Sequence, residues 1–308
     1  MSDYKQIVTL TTDWMDKSYY ARMLEDMNLP KIYPVGDHYV AQLKACLRQL
    51  SSEIEIFDIC NTVQAFSVLQ TGYILRTTYP FFPKGSIHLI GVNSEPTETN
   101  KILVVEHDGH YFAGSDNGVY SIVFEDSTPE SVYELVPEML YKYVPDLAPK
   151  SFFGGNFSGF SAIKIFTTVI NHIMSRQDIS QLGIKSMINK EKTMLKAICD
   201  KDGITGRVMF IDHFGNIITN ITREQFDSTG KGRPFRIYVR GSKRVSITTI
   251  SASYNVVEHG QKYLAIFNSS GALEIAQLEQ NLAQLENIDE YSTVYIKFVE
   301  EGGNRLFY

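Results

Sequence analysis

Three short strand-like runs, Ile7–Leu10, Ile54–Ile59 and Ser86–Val92, alternate with segments of helical spacing, and this rhythm limits the possible folds more than any other feature of the chain. Tyr39, Leu43, Cys46 and Leu47 share one face of a helix that starts near Asp37, and Leu69, Tyr73 and Arg76 recur at three or four residues over Val68–Thr77. Tyr79-Pro80 and Pro83-Lys84-Gly85 close the second helix. Strand, helix, strand, helix predicts a parallel sheet with helices on both faces. Lys101–Glu106 and His110–Ala113 then flank Asp108-Gly109, a strong hairpin signal, with His107 and His110 reading as solvent-facing. Ile163–Ile173 has the spacing of a core-facing helix.

The second half reads differently. Gln177–Lys192 is polar, with no apolar face wide enough to need a core, and is expected to be an interdomain linker. Beyond it come short strand signals at Met194–Ile198, Arg207–Ile211, Ile217–Ile221, Phe235–Val239, Val245–Ile250, Leu264–Asn268 and Thr293–Val299. Gln277–Leu285 alone has helical spacing. The expectation is an α/β fold over 1–180 with a Rossmann-like parallel sheet, then an all-β barrel domain over 193–308.

A net charge of -6 and no basic cluster argue against nucleic acid as the main partner. The 3 cysteines, Cys46, Cys60 and Cys199, are widely spaced and form no metal-ligand pattern, which suits a reducing cytoplasm. No leader pattern and no membrane-length apolar run occur, so a cytoplasmic protein without a membrane partner is expected.

Polar corners punctuate this frame. Thr11-Thr12-Asp13 ends the first strand, at the edge where open α/β sheets bind ligands. Gly114–Gly118 follows the hairpin; Ile211-Asp212-His213-Phe214-Gly215-Asn216-Ile217 interrupts a β pair; Asn268-Ser269-Ser270-Gly271-Ala272-Leu273-Glu274-Ile275-Ala276 lies further on. Each is explained locally by a turn. In this order, from Thr11 to Ala276, they resemble the S-adenosyl-L-methionine hydroxide adenosyltransferase family, whose relatives include fluorinases and chlorinases. Residues 17–36 look like an insertion relative to its pattern, a lid or a subunit contact.

The resemblance implies a Rossmann-like domain followed by a β-barrel. It also implies a homotrimer with the site between subunits, and S-adenosyl-L-methionine as substrate with no metal or redox cofactor. It puts Asp13 on the ribose hydroxyls, Asp212 on the methionine amino group and Ser269 on the carboxylate, and Ser270 offers a further hydroxyl for that end of the ligand. Phe214, Asn216 and backbone near Ala283 would hold adenine. The reaction needs an in-line nucleophile and fixed geometry, and proximity alone lowers such barriers by roughly 7–11 kcal/mol.

The reaction centre departs from the pattern. Asn93, Asn100 and Ser161 stand where the family has an aspartate, an arginine and a histidine that hold the attacking water or hydroxide. Asn93 cannot act as a base, the Lys101 ammonium is not a planar guanidinium, and the sequence identifies no base beside Ser161. Three readings stay open at this point. The chain is a hydrolase that yields adenosine and L-methionine, a relative that binds the ligand without turnover, or a halide-using transferase.

Overall fold

The computed structural model describes residues 5–15, 38–125, 127–136, 161–175, 178–189, 196–242, 244–254 and 262–299. The chain divides into two compact units, Met1–Met194 and Leu195–Tyr308. The insertion at 17–36 and a glycine-rich stretch at 154–159, which lacks phosphate-loop spacing, lie outside the described residues.

The first unit is built on strands β1 (Gln6–Thr12), β2 (Ile54–Cys60), β3 (Ile87–Gly91), β4 (Ile102–His107), β5 (His110–Ser115), β6 (Ser131–Leu135) and β7 (Gly183–Lys185), in the order β2-β1-β3-β5-β4-β6-β7. β2, β1, β3 and β5 run parallel, and β4, β6 and β7 extend the sheet antiparallel. The sheet is therefore mixed. Helices α1 (Tyr39–Leu50), α2 (Val68–Thr78), α3 (Val119–Phe124) and α4 (Ala162–Met174) cover it. Two cores show that both faces are closed. Val8, Leu10, Leu89 and Val104 pack with Leu43 and Leu47 of α1 and Phe166 and Val169 of α4. Ile90, Leu103 and Phe112 pack with Leu75 of α2 and Tyr120 of α3. Burying a side chain of this size contributes roughly 1.5–3 kcal/mol.

Two expectations are corrected here. The polar stretch 177–192 does not serve only as a linker: Ile179 and Leu182 are buried, and Gly183–Lys185 is the edge strand β7. A three-residue edge strand is held by main-chain bonds, so it leaves little apolar pattern to read. His107 and His110 do not face solvent; they are 8% and 0% exposed. Their hairpin lies inside the sheet, where Phe124 packs on His107 and Tyr79 on His110.

The second unit is an antiparallel half-barrel of β8 (Ile198–Cys199), β9 (Gly203–Ile211), β10 (Ile217–Thr222), β11 (Phe235–Val239), β12 (Tyr263–Phe267), β13 (Ala272–Gln277) and β14 (Thr293–Phe298). Its order is β11-β14-β9-β10-β13-β12, with β8 paired to β9. Val208, Ile217, Ile221, Leu273, Ile275 and Ile296 form its core. Helices α5 (Arg223–Gly230) and α6 (Leu282–Glu286) decorate it. Val245–Ile250, expected as a strand, makes only the bridge Ile237–Ile247, although Val245 and Ile247 are buried.

Candidate active site

In the first unit the site begins where neighbouring parallel strands end together. Thr12 of β1 stands opposite Gly91 of β3, so Asp13 and the loop after Val92 emerge side by side. Asp13 Oδ2 accepts the backbone N–H of Phe66 at 2.9 Å and of Asn93 at 3.4 Å. Asn93 takes φ 46°, a left-handed conformation that asparagine tolerates better than most residues. Thr12 Oγ1 donates to Asn61 Oδ1 beyond β2 at 3.0 Å. Beyond β5, Asn117 Nδ2 donates to the carbonyl of Val92 at 2.9 Å, tying a fourth strand end to the same edge.

Asn100 holds the loop shut. Its amide nitrogen donates to the carbonyls of Asn93 and Glu95, both at 2.9 Å, and to Ser115 Oγ at 3.3 Å. Glu95 crosses to α4. Its Oε2 accepts the Ser161 hydroxyl at 3.0 Å, and its carboxylate also accepts the backbone N–H groups of Ser161 at 3.0 Å and Ala162 at 3.4 Å. Asp13, Asn93, Asn100 and Ser161 thus belong to one hydrogen-bonded network, and Glu95 is the member that sequence reasoning missed. The signal available for it was an acidic residue two positions past Asn93, in a loop at the carboxyl edge of the sheet. Ser161 does have a base beside it.

The second unit carries two corners. At the β9–β10 hairpin, Asp212 Oδ1 accepts the N–H of Phe214 at 2.9 Å and of Asn216 at 2.8 Å, and Oδ2 accepts Asn216 Nδ2 at 3.0 Å. A carboxylate offers about four acceptor sites, so this one, though it builds its own turn, has room for another donor. Gly215 takes φ 83°, and a Cβ there would lie 2.2 Å from Asn281 Oδ1. Its carbonyl accepts the Ala283 N–H at 3.0 Å, so that N–H serves the corner, and α6 is fastened beneath it. The Phe214 ring is 73% exposed at the tip, and Asn216 is buried.

At the other corner Asn268 Oδ1 accepts from Ser270 N at 3.0 Å, Ser270 Oγ at 2.7 Å and Ala272 N at 3.2 Å. Asn268 Nδ2 donates to the buried Glu274, which also accepts the Tyr254 hydroxyl. Ser269 is exposed beside them. The corners lie at opposite ends of one ladder, since Ile217 pairs with Ile275 while Thr222 pairs with Ala272. At roughly 3.3 Å per residue, Ala272 to Ile275 alone spans about 10 Å. A ligand that touches both corners must therefore extend along β13.

Among the described residues, no group of three His, Cys, Asp or Glu side chains could hold a metal ion, and no helix is long and apolar enough to cross a membrane.

The family model for the SAM hydroxide adenosyltransferase N-terminal domain matches residues 33–183, and that for the C-terminal domain matches residues 206–295. The (R)-S-adenosyl-L-methionine hydrolase of Methanocaldococcus jannaschii is 24% identical over 307 residues, covering 96% of this chain and 97% of that protein. Its namesake in Thermus thermophilus is 23% identical over 248 residues, covering 79% and 88%. In fold the chain is similar to the crystal structure of an uncharacterized conserved protein from Thermotoga maritima, with TM-score 0.73, 24% identity and coverage of 95% and 100%. A conserved hypothetical protein from Thermus thermophilus gives TM-score 0.67 at 17% identity, with coverage of 96% and 100%.

Proposed function

The chain belongs to the SAM hydroxide adenosyltransferase family, and from that premise we propose that it cleaves S-adenosyl-L-methionine, with water or hydroxide displacing L-methionine at the ribose 5′ carbon to give adenosine. The observation that carries this reading is the single network joining Asp13, Asn93, Asn100, Glu95 and Ser161 at the carboxyl edge of the parallel strands. Two carboxylates at that edge suit a sulfonium cation, and Asp13 suits ribose hydroxyls because an ionised carboxylate only accepts. The sulfonium makes methionine a good leaving group, so the protein's task is orientation and exclusion of bulk water. Phe214 offers an aromatic face and Asn216 an amide for adenine, while Ser269 and Ser270 offer hydroxyls for the carboxylate. Asp212, at the corner with Phe214 and Asn216, keeps one acceptor site for a ligand N–H there; the amino and carboxylate groups of methionine share one carbon and cannot span the two corners. As the resemblance implies, the two halves of the site come from different copies of the chain in a homotrimer; analytical ultracentrifugation reads the copy number.

A second reading, binding without turnover, is favoured by one observation: the Asn100 amide is engaged by backbone carbonyls, so it cannot replace a water-holding cation. Incubation with S-adenosyl-L-methionine, with and without chloride, decides among the readings. Adenosine and methionine support hydrolysis, binding by calorimetry without product supports the second reading, and a chlorinated nucleoside supports halide transfer. No binding removes all three.

A further inference from the structure

Ser161 precedes α4 at the N-cap position, where a serine hydroxyl ordinarily accepts a backbone N–H of the first helical turn. Here it makes no such bond. Its hydroxyl instead donates to Glu95 Oε2 at 3.0 Å. The capping is done by Glu95, a residue 66 positions earlier, through the Ser161 and Ala162 N–H groups. The backbone that carries this carboxylate is held as well, because the carbonyl of Glu95 and that of Asn93 accept the same Asn100 amide. A cap alone would need only Ser161. This arrangement leaves the lone pairs of Ser161 Oγ available as acceptors while its proton points at a carboxylate, which is the polarity of a proton relay.

We infer that Glu95 is a positioning residue for the nucleophile and acts through Ser161, taking up the proton that the attacking water gives up. The inference rests on the hydrolytic reading above and supplies what Asn93 and Asn100 cannot. The water oxygen forms a bond to the 5′ carbon as the carbon–sulfur bond breaks, and that electron pair returns to sulfur. The proton of the water passes to Ser161 Oγ while the proton of Ser161 passes to Glu95. The products are adenosine, neutral methionine sulfur and a protonated Glu95, which then releases its proton to solvent.

The test compares wild type with Glu95→Gln, Glu95→Asp, Ser161→Ala and the Glu95→Gln/Ser161→Ala double variant, following adenosine release from S-adenosyl-L-methionine. Glu95→Gln keeps the size and an acceptor for the helix N–H groups but takes no proton. It is expected to lose about 100-fold or more in kcat, with KM within about twofold and an unchanged melting temperature. Glu95→Asp is expected to recover part of that loss, and the double variant to lose no more than either single one. Wild-type turnover in Glu95→Gln would overturn the inference and leave hydrolysis standing. So would a loss that appears in KM and melting temperature, which would make Glu95 a cap only. No adenosine from the wild-type protein would overturn both.

Discussion

The Asn100 amide donates to the Asn93 carbonyl at 2.9 Å, so the two asparagines of the candidate reaction centre are bound to each other rather than poised separately over the crevice. The contact uses the side chain of one and the backbone of the other, which makes their substitutions inequivalent. Asn100→Ala removes a donor shared by Asn93, Glu95 and Ser115 and is expected to cost about 1–3 kcal/mol, seen as a lower urea midpoint. Asn93→Gly keeps the carbonyl and tolerates φ 46°, so its stability is expected to stay within about 1 kcal/mol of wild type. An equal loss in both would contradict this division of labour.

Asp212 builds the corner that displays Phe214 and holds the buried Asn216. Asp212→Ala removes three acceptor contacts and is expected to weaken S-adenosyl-L-methionine binding at least tenfold, about 1.4 kcal/mol, with a lowered melting temperature. Asp212→Asn keeps one acceptor oxygen and is expected to fall between. Calorimetric titration of the three proteins checks the order; unchanged affinity in Asp212→Ala would remove this corner from the binding surface.

Adjacent serines at 269 and 270 are expected to behave differently. Both are exposed, but the Ser270 hydroxyl donates to Asn268 Oδ1 at 2.7 Å and so helps close the turn, whereas the Ser269 hydroxyl takes no part in closing it. Ser270→Ala is expected to cost about 0.5–1.5 kcal/mol of stability. Ser269→Ala is expected to leave the denaturation midpoint in place and weaken ligand binding severalfold. Denaturation and titration of both variants read the contrast, and a stability loss in Ser269→Ala would reverse the assignment.

What could be read from the chain follows from how each element is held. β11 was legible to the residue, and β1 and β3 nearly so, because their apolar residues bury in cores; β2, where only Ile54 is buried, was legible from its alternation. α5 was not, since only Gly230 of Arg223–Gly230 is buried, yet its capping box between Thr222 and Gln225 stands in the sequence. β13 was hidden, all but its last residue inside a stretch read as a polar corner and Gln277 in one read as helical, because Glu274 and Gln277 are buried polar residues. The corners could be placed from their glycines and amides. Their partners could not: the Glu95–Ser161 bond spans 66 residues and depends on two strand ends and a helix start meeting. Burial of His107 and His110 was missed for a related reason, since a hairpin signal does not say whether further strands will flank it.

The buried imidazoles give the fold a pH dependence whose sign can be worked out. His88 is 0% exposed; its Nδ1 meets Thr9 Oγ1 at 2.8 Å and its Nε2 meets His110 Nδ1 at 3.2 Å. Burial first, and then the neighbouring His110, push its pKa from 6.5 down to about 3. His110 is lowered as well, by burial and then by Lys84, with Asp108 opposing. The unfolded chain therefore takes up the His88 proton first as pH falls. Stability is fully present above about pH 6.5 and is lost progressively toward about pH 3. At about 1.4 kcal/mol per pH unit, His88 alone is expected to make the protein about 2 kcal/mol less stable at pH 5 than at pH 7. Urea midpoints across that range measure it. His88→Gln, which can still bond to Thr9, is expected to flatten the dependence by about that amount, and an unchanged slope in this variant would show that the acid sensitivity arises elsewhere.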